Sequence, residues 1–75
     1  MEVRQLNNIK KAREAKGMSQ AQVAVEVTKY VPGKVSQQAV AKWENGDALP
    51  RSDKLIAIAK VLGCTVDELL REETA

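Results

Sequence analysis

Helix start and stop signals recur along this chain at intervals that leave room only for short helices. Ser19 with Gln22, and Thr65 with Glu68, have the capping-box spacing that opens a helix. Glycines stand where the helices would end. They are Gly17, Gly46 and Gly63. The spacing predicts five helices, over about residues 3–16, 19–28, 36–44, 51–62 and 65–71.

Apolar residues recur at helical spacing within these segments, and no segment alternates between apolar and polar residues for long enough to predict a strand. The stretch from Lys29 to Val35 is the nearest to a strand, and Pro32-Gly33 interrupts it. The apolar faces contain Leu6, Ile9, Val23, Val27, Val40, Trp43, Leu55, Ile58, Ala59, Leu62, Val66, Leu69 and Leu70. We therefore expect an all-α fold, a compact five-helix bundle that occupies residues 1–75 as a single domain.

The composition excludes several kinds of chemistry. The 75 residues include no His and one Cys, which excludes an internal disulfide, most zinc sites and histidine-based acid–base catalysis. The first residues lack the apolar core of a signal peptide, and no apolar run is long enough to span a bilayer. We expect a cytoplasmic protein that is not an enzyme, has no cofactor or metal, and binds neither membrane nor small-molecule substrate.

Charge alone does not decide what the protein binds. The net charge is only +2, but acidic residues are concentrated after residue 66, which leaves the rest of the chain basic. A basic body is typical of a surface that binds a polyanion, and it is also typical of ordinary solvated surface. Glu14, Asp53 and Glu68 do not converge on one site, so they are expected to be solvated helix surface.

The third helix carries the most informative pattern. Ser36 is its expected N-cap, and two neighbouring glutamines, Gln37 and Gln38, follow. Val40 and Trp43 lie three residues apart and make the buried face with Ala39 beside them. Trp43 is therefore expected in the core and not as a stacking platform for single strands. Small and polar side chains point elsewhere. They are Gln37, Gln38, Ala41, Lys42 and Asn45.

This exposed face suits a helix that enters the major groove of DNA by its N-terminal end. A glutamine amide can bond adenine through N6 and N7 together, and a lysine can reach guanine O6 and N7. Ala41 keeps the face thin, and its methyl group can touch a thymine methyl. Lys42 has three open interpretations, namely base contact, phosphate contact and solvation.

Three stretches, MSQAQVAVEV, VSQQAVAKWENG and LPRSDKLIAIAKVLGCTVDELL, together resemble the helix-turn-helix family of phage repressors and Cro proteins, the XRE family. The resemblance covers about Ile9 to Leu70. It implies that the second and third helices form the helix-turn-helix and that the third is the recognition helix. It also implies a sequence-specific double-stranded DNA-binding transcriptional regulator at the nucleoid, a phage, prophage or bacterial repressor that occupies an operator.

The resemblance assigns roles by position. Gln37, Gln38 and Lys42 occupy base-reading positions, with Ala41 beside them. Gln20 corresponds to a glutamine that bonds a phosphate and buttresses the first glutamine of the recognition helix. The candidates for contact with the DNA backbone are Ser19, Gln20, Ser36, Asn45 and Arg51. Arg13 and Glu44 correspond to a partly buried ion pair that orients the recognition helix and does not touch DNA.

The connection between the second and third helices departs from the family pattern, because it is about six residues longer than usual. Lys29, Tyr30 and Lys34 would then lie near the DNA-facing edge, where the two lysines could bind phosphates. The alternative is a solvated loop with Tyr30 or Val31 packed onto the core. A second departure is Asp47, in a loop where the family often has a basic residue, and it would slightly weaken non-specific binding.

The resemblance also implies a weak homodimer on a near-palindromic operator. Its interface candidates are Ile56, Val66 and Glu68, although Ile56 fits ordinary core equally well. Two other functions remain open on the same fold, an antitoxin-like module and a protein-interaction module that has lost DNA binding. Cys64 is expected to be a small buried hydrophobe and not a redox centre.

Overall fold

A computed structural model describes residues 8–70, and within that range the chain forms five α-helices and no strand. They are α1 (Ile9–Ala15), α2 (Gln20–Thr28), α3 (Gln37–Asn45), α4 (Ser52–Leu62) and α5 (Val66–Leu70). The all-α five-helix fold predicted from the sequence is confirmed. The predicted start of the first helix, with Leu6, and residue 71 at the end of the last lie outside the described residues.

Side-chain caps fix the starts of three helices. The Ser19 hydroxyl accepts a hydrogen bond from the Gln22 N–H at 3.1 Å, and Gln22 Oε1 accepts one from the Ser19 N–H at 2.8 Å. Thr65 and Glu68 make the same reciprocal pair before α5. The Ser36 hydroxyl accepts from the Ala39 N–H before α3. Each cap satisfies backbone donors that the first helical turn leaves without partners.

The end of α3 is equally well defined. Gly46 has φ of 81°, a left-handed conformation that side chains make costly. This allows the Asp47 N–H to donate back to the Lys42 carbonyl at 2.9 Å, and the Gly46 N–H to donate to Trp43. The chain therefore turns sharply away after Asn45 and reaches Arg51, the N-cap of α4, within a short loop.

The core lies between α2, α3 and α4, and both ends of the described chain close over it. Trp43 is 5% exposed, so the core position predicted for it is confirmed. The backbone N–H of Asn8, just before α1, donates to the Leu69 carbonyl of α5 at 2.7 Å. The buried apolar residues are Ile9, Val23, Ala24, Val27, Val31, Val35, Val40, Trp43, Ala57, Ile58, Ala59, Leu62 and Leu69.

Some predicted core positions are wrong. Leu55 is only partly buried, whereas Ala57, which was not predicted, is buried. The reason is that α4 contacts both α2 and α5, so its buried arc is wider than one stripe and includes three consecutive residues. Leu70 and Ile56 are exposed, so Ile56 is not ordinary core. Cys64 is half-buried and packs against the core edge.

The long connection between α2 and α3 is closed at its base by one hydroxyl group. Thr28 Oγ1 donates to the Ala24 carbonyl at 2.7 Å and accepts from the Val35 N–H at 3.0 Å. Residues 29–34, here called the insert, leave and return at this point. Val31 and Val35 are buried, whereas Tyr30 is exposed, so Val31 is the residue that packs onto the core. The insert therefore adds length without separating the two helices that it joins.

Replacing Thr28 with Val should lower the free energy of unfolding by about 1–3 kcal/mol. The reason is that the N–H of Val35 would lose its acceptor, while Val35 itself would stay buried. Thr28→Ser is the matched control, since it keeps the hydroxyl group and should cost less. Urea unfolding followed by Trp43 fluorescence would measure both variants. Equal stability of Thr28→Val and the parent chain would show that the hydroxyl does not hold the connection closed.

Candidate nucleic-acid interface

Helix α3 has one buried face and one exposed face. Val40, Trp43 and Glu44 are buried. The exposed side chains on this helix include both glutamines, and Ala41 is half-buried beside them. They are Gln37, Gln38, Lys42 and Asn45. The structure thus places the residues predicted to read bases on an accessible surface that begins at the N-terminus of α3, directly after the Ser36 cap.

A buried ion pair fixes the orientation of this helix. Arg13 of α1 donates through Nε to Glu44 Oε2 at 2.6 Å and through Nη2 to Glu44 Oε1 at 3.2 Å. The Glu44 side chain is 2% exposed and that of Arg13 is 12% exposed. Arg13 Nη1 also donates to the Met18 carbonyl, just before α2. The pair therefore connects α1, the approach to α2, and the C-terminal half of α3.

The hydrogen bond to Glu44 raises the pKa of Arg13 above its ordinary value, and this effect exceeds the opposing effect of burial. Because the pKa of this cation is higher in the folded than in the unfolded chain, its charge stabilises the fold fully at pH values below the pKa that it has in the unfolded chain. That contribution is lost only when the pH rises through the folded pKa, in strongly alkaline solution. The guanidinium stays charged throughout the ordinary pH range, so Glu44 always faces its cation.

Gln20 takes part in the same network, which the sequence interpretation did not anticipate. Its Nε2 donates to Glu44 Oε1 at 3.0 Å. Within the described residues no hydrogen bond joins Gln20 to Gln37, so the predicted buttress of the recognition helix's first glutamine is absent from this structure. The only indication of this bond in the sequence was the expected burial of Glu44, because a buried carboxylate needs more than one hydrogen-bond donor. Gln20 thus contacts α3 at the C-terminal half of that helix, through Glu44.

Several cations around α3 are accessible. Lys34, Lys42 and Arg51 are exposed, and none of them forms an ion pair in the part of the chain that the structure describes. Lys29 differs, because its Nζ lies 3.1 Å from Glu26 Oε2 in an exposed pair. Asp47 is exposed in the loop after α3. These three cations lie before α3, on it, and at the start of α4.

The two serine caps remain competent to bind an anion. Ser19 and Ser36 are exposed, and each hydroxyl oxygen accepts a backbone hydrogen bond at its helix start. A hydroxyl group that accepts in this way still has its own proton to donate. Both predicted backbone contacts are therefore compatible with the capping roles.

The dimer candidates fall into two groups. Ile56 is 55% exposed on α4, and Leu49, which the sequence interpretation missed, is 66% exposed in the preceding loop. Val66 packs partly against the core, and Glu68 accepts hydrogen bonds from the Thr65 cap. Ile56 and Leu49 are thus accessible apolar surface, whereas Val66 and Glu68 already have roles within the fold.

The described residues contain no cluster of potential ligands that could hold a metal ion, and none of their helices has the length and apolar character needed to cross a membrane. Burial raises the pKa of the Cys64 thiol, and the charge of Glu68 raises it further. A raised pKa disfavours the reactive thiolate, which agrees with a packing role for this cysteine.

The consecutive helices α2 and α3 pack together, and α3 exposes a polar face while α1 contacts its buried side. This arrangement defines a helix-turn-helix. A family model described as helix-turn-helix matches residues 9–69. The chain belongs to the XRE-type helix-turn-helix family.

Individual relatives agree with this assignment. The 26 kDa repressor protein of Escherichia phage HK022 is 50% identical over 32 residues, which are 43% of this chain and 14% of the relative. The HTH-type transcriptional activator BcrR of Enterococcus faecalis is 34% identical over 65 residues, which are 87% of this chain and 29% of the relative. The chain therefore spans less than a third of either relative.

A solved structure supports the fold independently. The P22 c2 repressor, in complex with synthetic operator 9T in the presence of Tl⁺, has a TM-score of 0.73 to this chain. The two are 30% identical, and the match covers 84% of this chain and 86% of that one.

Proposed function

We propose that this chain is a sequence-specific double-stranded DNA-binding domain that acts as a repressor, with α3 in the major groove. The observation that carries the proposal is the pair of exposed amides, Gln37 and Gln38, at the start of a helix whose opposite face is fixed by a buried ion pair. A reading helix needs both accessible base-contacting groups and a fixed orientation. The operator-bound structural neighbour supports the same assignment.

The dimensions of α3 suit this role. An α-helix with its side chains is about 10–12 Å in diameter, and the major groove of B-DNA is about 12 Å wide. Entry by the N-terminal end would bring the two amides to the base edges first. Lys42 would follow one turn later, and Ala41 would lie between them without obstructing the approach. The helix dipole adds a mild attraction for phosphate at the same end.

The phosphate contacts follow from the elements that flank α3. Ser36, Asn45 and Arg51 are exposed at its two ends and at the start of α4. Ser19 and Gln20 lie at the start of α2. One N–H of the Gln20 amide donates to Glu44, so a phosphate contact would use the other N–H of the same amide nitrogen. Repression would be steric, because a protein on the operator excludes polymerase, and the site of action would be the nucleoid.

A near-palindromic operator and a weak homodimer complete the proposal. Two recognition helices related by a twofold axis would lie about 34 Å apart, one turn of B-DNA. Ile56 and Leu49 supply accessible apolar surface for the dimer contact. Two exposed side chains make a small contact, which favours association on DNA over a stable dimer in solution.

Selection from a random duplex library, followed by a salt titration of the winning sequence, tests this function. A near-palindromic motif with half-sites about ten base pairs apart would support a dimeric operator-binding regulator. A steep salt dependence without an enriched motif would indicate non-specific binding. No binding at low salt would overturn the proposal and favour a protein-interaction module on the same fold.

Replacing Arg51 with Ala should weaken binding to all sequences alike and lower the slope of log K against log salt by about 1, because the variant neutralises one phosphate fewer. Arg51 is exposed and its side chain makes no capping hydrogen bond, so stability should change little. Lys60→Ala, at the opposite end of α4, is the matched control and should keep the slope. An unchanged slope in Arg51→Ala would remove Arg51 from the interface.

A further inference from the structure

The insert, residues 29–34, has two halves with different surroundings. Its first half faces α2 and α4, because Lys29 pairs with Glu26 and the Tyr30 ring lies 5.7 Å from the ammonium of Lys60. Its second half, Pro32 to Lys34, is exposed and leads directly to the start of α3. Buried Val31 separates the two halves.

The backbone next to Lys34 is held in place by the residue that follows, Val35. Val35 is buried, and its backbone N–H is bonded to Thr28 Oγ1, so the backbone beside Lys34 is fixed to α2. The Lys34 side chain is exposed and forms no ion pair within the part of the chain that the structure describes. The insert thus presents one cation on a rigid base, with no ion-pair partner among the described residues.

The distance along the chain places this cation beside the groove. Lys34 lies two residues before Ser36, and two residues span at most about 7 Å. If the N-terminus of α3 enters a groove about 12 Å wide, Lys34 lies near one of the phosphate strands that border it. Lys29 does not have this position, because its ammonium is directed to Glu26 on α2.

We propose that Lys34 binds a DNA phosphate at the rim of the groove that α3 enters, and that Lys29 of the same insert does not bind DNA. This inference rests on the proposed function and extends it, since it assigns the additional residues between α2 and α3 a part in docking. The insert enlarges the contacted backbone by one phosphate without contributing to base recognition.

Lys34→Ala and Lys34→Gln test the proposal, with Lys29→Ala as the matched control from the same insert. Salt titration on the duplex that the parent chain selects should show the slope lowered by about 1 in both Lys34 variants and unchanged in Lys29→Ala. The selected base motif should be the same in all four proteins. Thermal unfolding should be unchanged, because Lys34 is exposed and makes no ion pair in the described chain.

Ethylation interference locates the contact. One phosphate per half-site should inhibit the parent chain when ethylated and should have no effect on Lys34→Ala. Equal salt slopes for Lys34→Ala and the parent, or an equal loss in Lys29→Ala, would overturn the inference while leaving DNA binding intact. Failure of the parent chain to select any duplex would instead overturn the proposed function, so the two failures are distinguishable.

Discussion

Replacing Arg13 with Met should lower the free energy of unfolding by about 3–5 kcal/mol, because Glu44 would remain buried without its cation. The Glu44 carboxylate would keep the single donor from Gln20, which cannot compensate a full charge. Globular domains of about this length have a total stability of roughly 4–11 kcal/mol. The substitution should therefore remove much of the stability, and DNA binding with it, although Arg13 touches no DNA in the proposed complex.

Urea unfolding followed by Trp43 fluorescence and circular dichroism would measure the effect, since urea does not screen charges. Lys29→Ala removes an exposed ion pair and should change stability by less than about 1 kcal/mol. The double variant Arg13→Met/Glu44→Leu should recover part of the loss, because no charge is then left buried. A loss in Arg13→Met as small as that in Lys29→Ala would show that the buried pair does not stabilise the fold.

Local signals in the sequence predicted local structure well. The capping residues of α2, α3 and α5 form their hydrogen bonds within three residues of each other, so spacing alone is sufficient to find them. Trp43 was placed in the core because it lies one turn from Val40. The two exposed glutamines follow from the same helical wheel, since a helix with one apolar face must expose the opposite one.

Tertiary contacts were less accessible from the sequence. Gln20 and Glu44 are 24 residues apart, and no spacing rule relates them. The family resemblance predicted the partner of Arg13 but gave Gln20 a different partner. The buried part of α4 depends on the two helices that it contacts, α2 and α5. A single apolar stripe along the helix therefore predicted Leu55 as a core residue and missed Ala57.

The insert shows the same limit. Its sequence predicted a turn at Pro32-Gly33 but left open whether the chain would protrude or pack back. The outcome depends on Thr28, whose hydroxyl joins residues on both sides of the insert. A threonine near a helix end has many possible partners, and only the folded chain selects one.

Replacing Gln37 or Gln38 with Ala should cost about 1–3 kcal/mol of binding free energy at one base position each, and should relax the preference at that position. Both side chains are exposed, so stability should stay within about 0.5 kcal/mol of the parent chain. Weaker binding would then reflect the missing amide and not unfolding, in contrast to Arg13→Met. Binding of each variant to the selected operator and to all its single-base substitutions would measure the effect.

The pattern across base positions decides between reading and positioning. If Gln37 reads a base, Gln37→Ala binds all four bases equally well at that position and keeps its preferences at the other positions. A phosphate-binding residue, as proposed for Arg51, behaves differently, because its removal lowers every affinity by the same factor and leaves every base preference intact. If Gln37→Ala and Gln38→Ala both behave like Arg51→Ala, the amides orient the helix, and sequence preference must come from Lys42, Ala41 or the shape of the DNA.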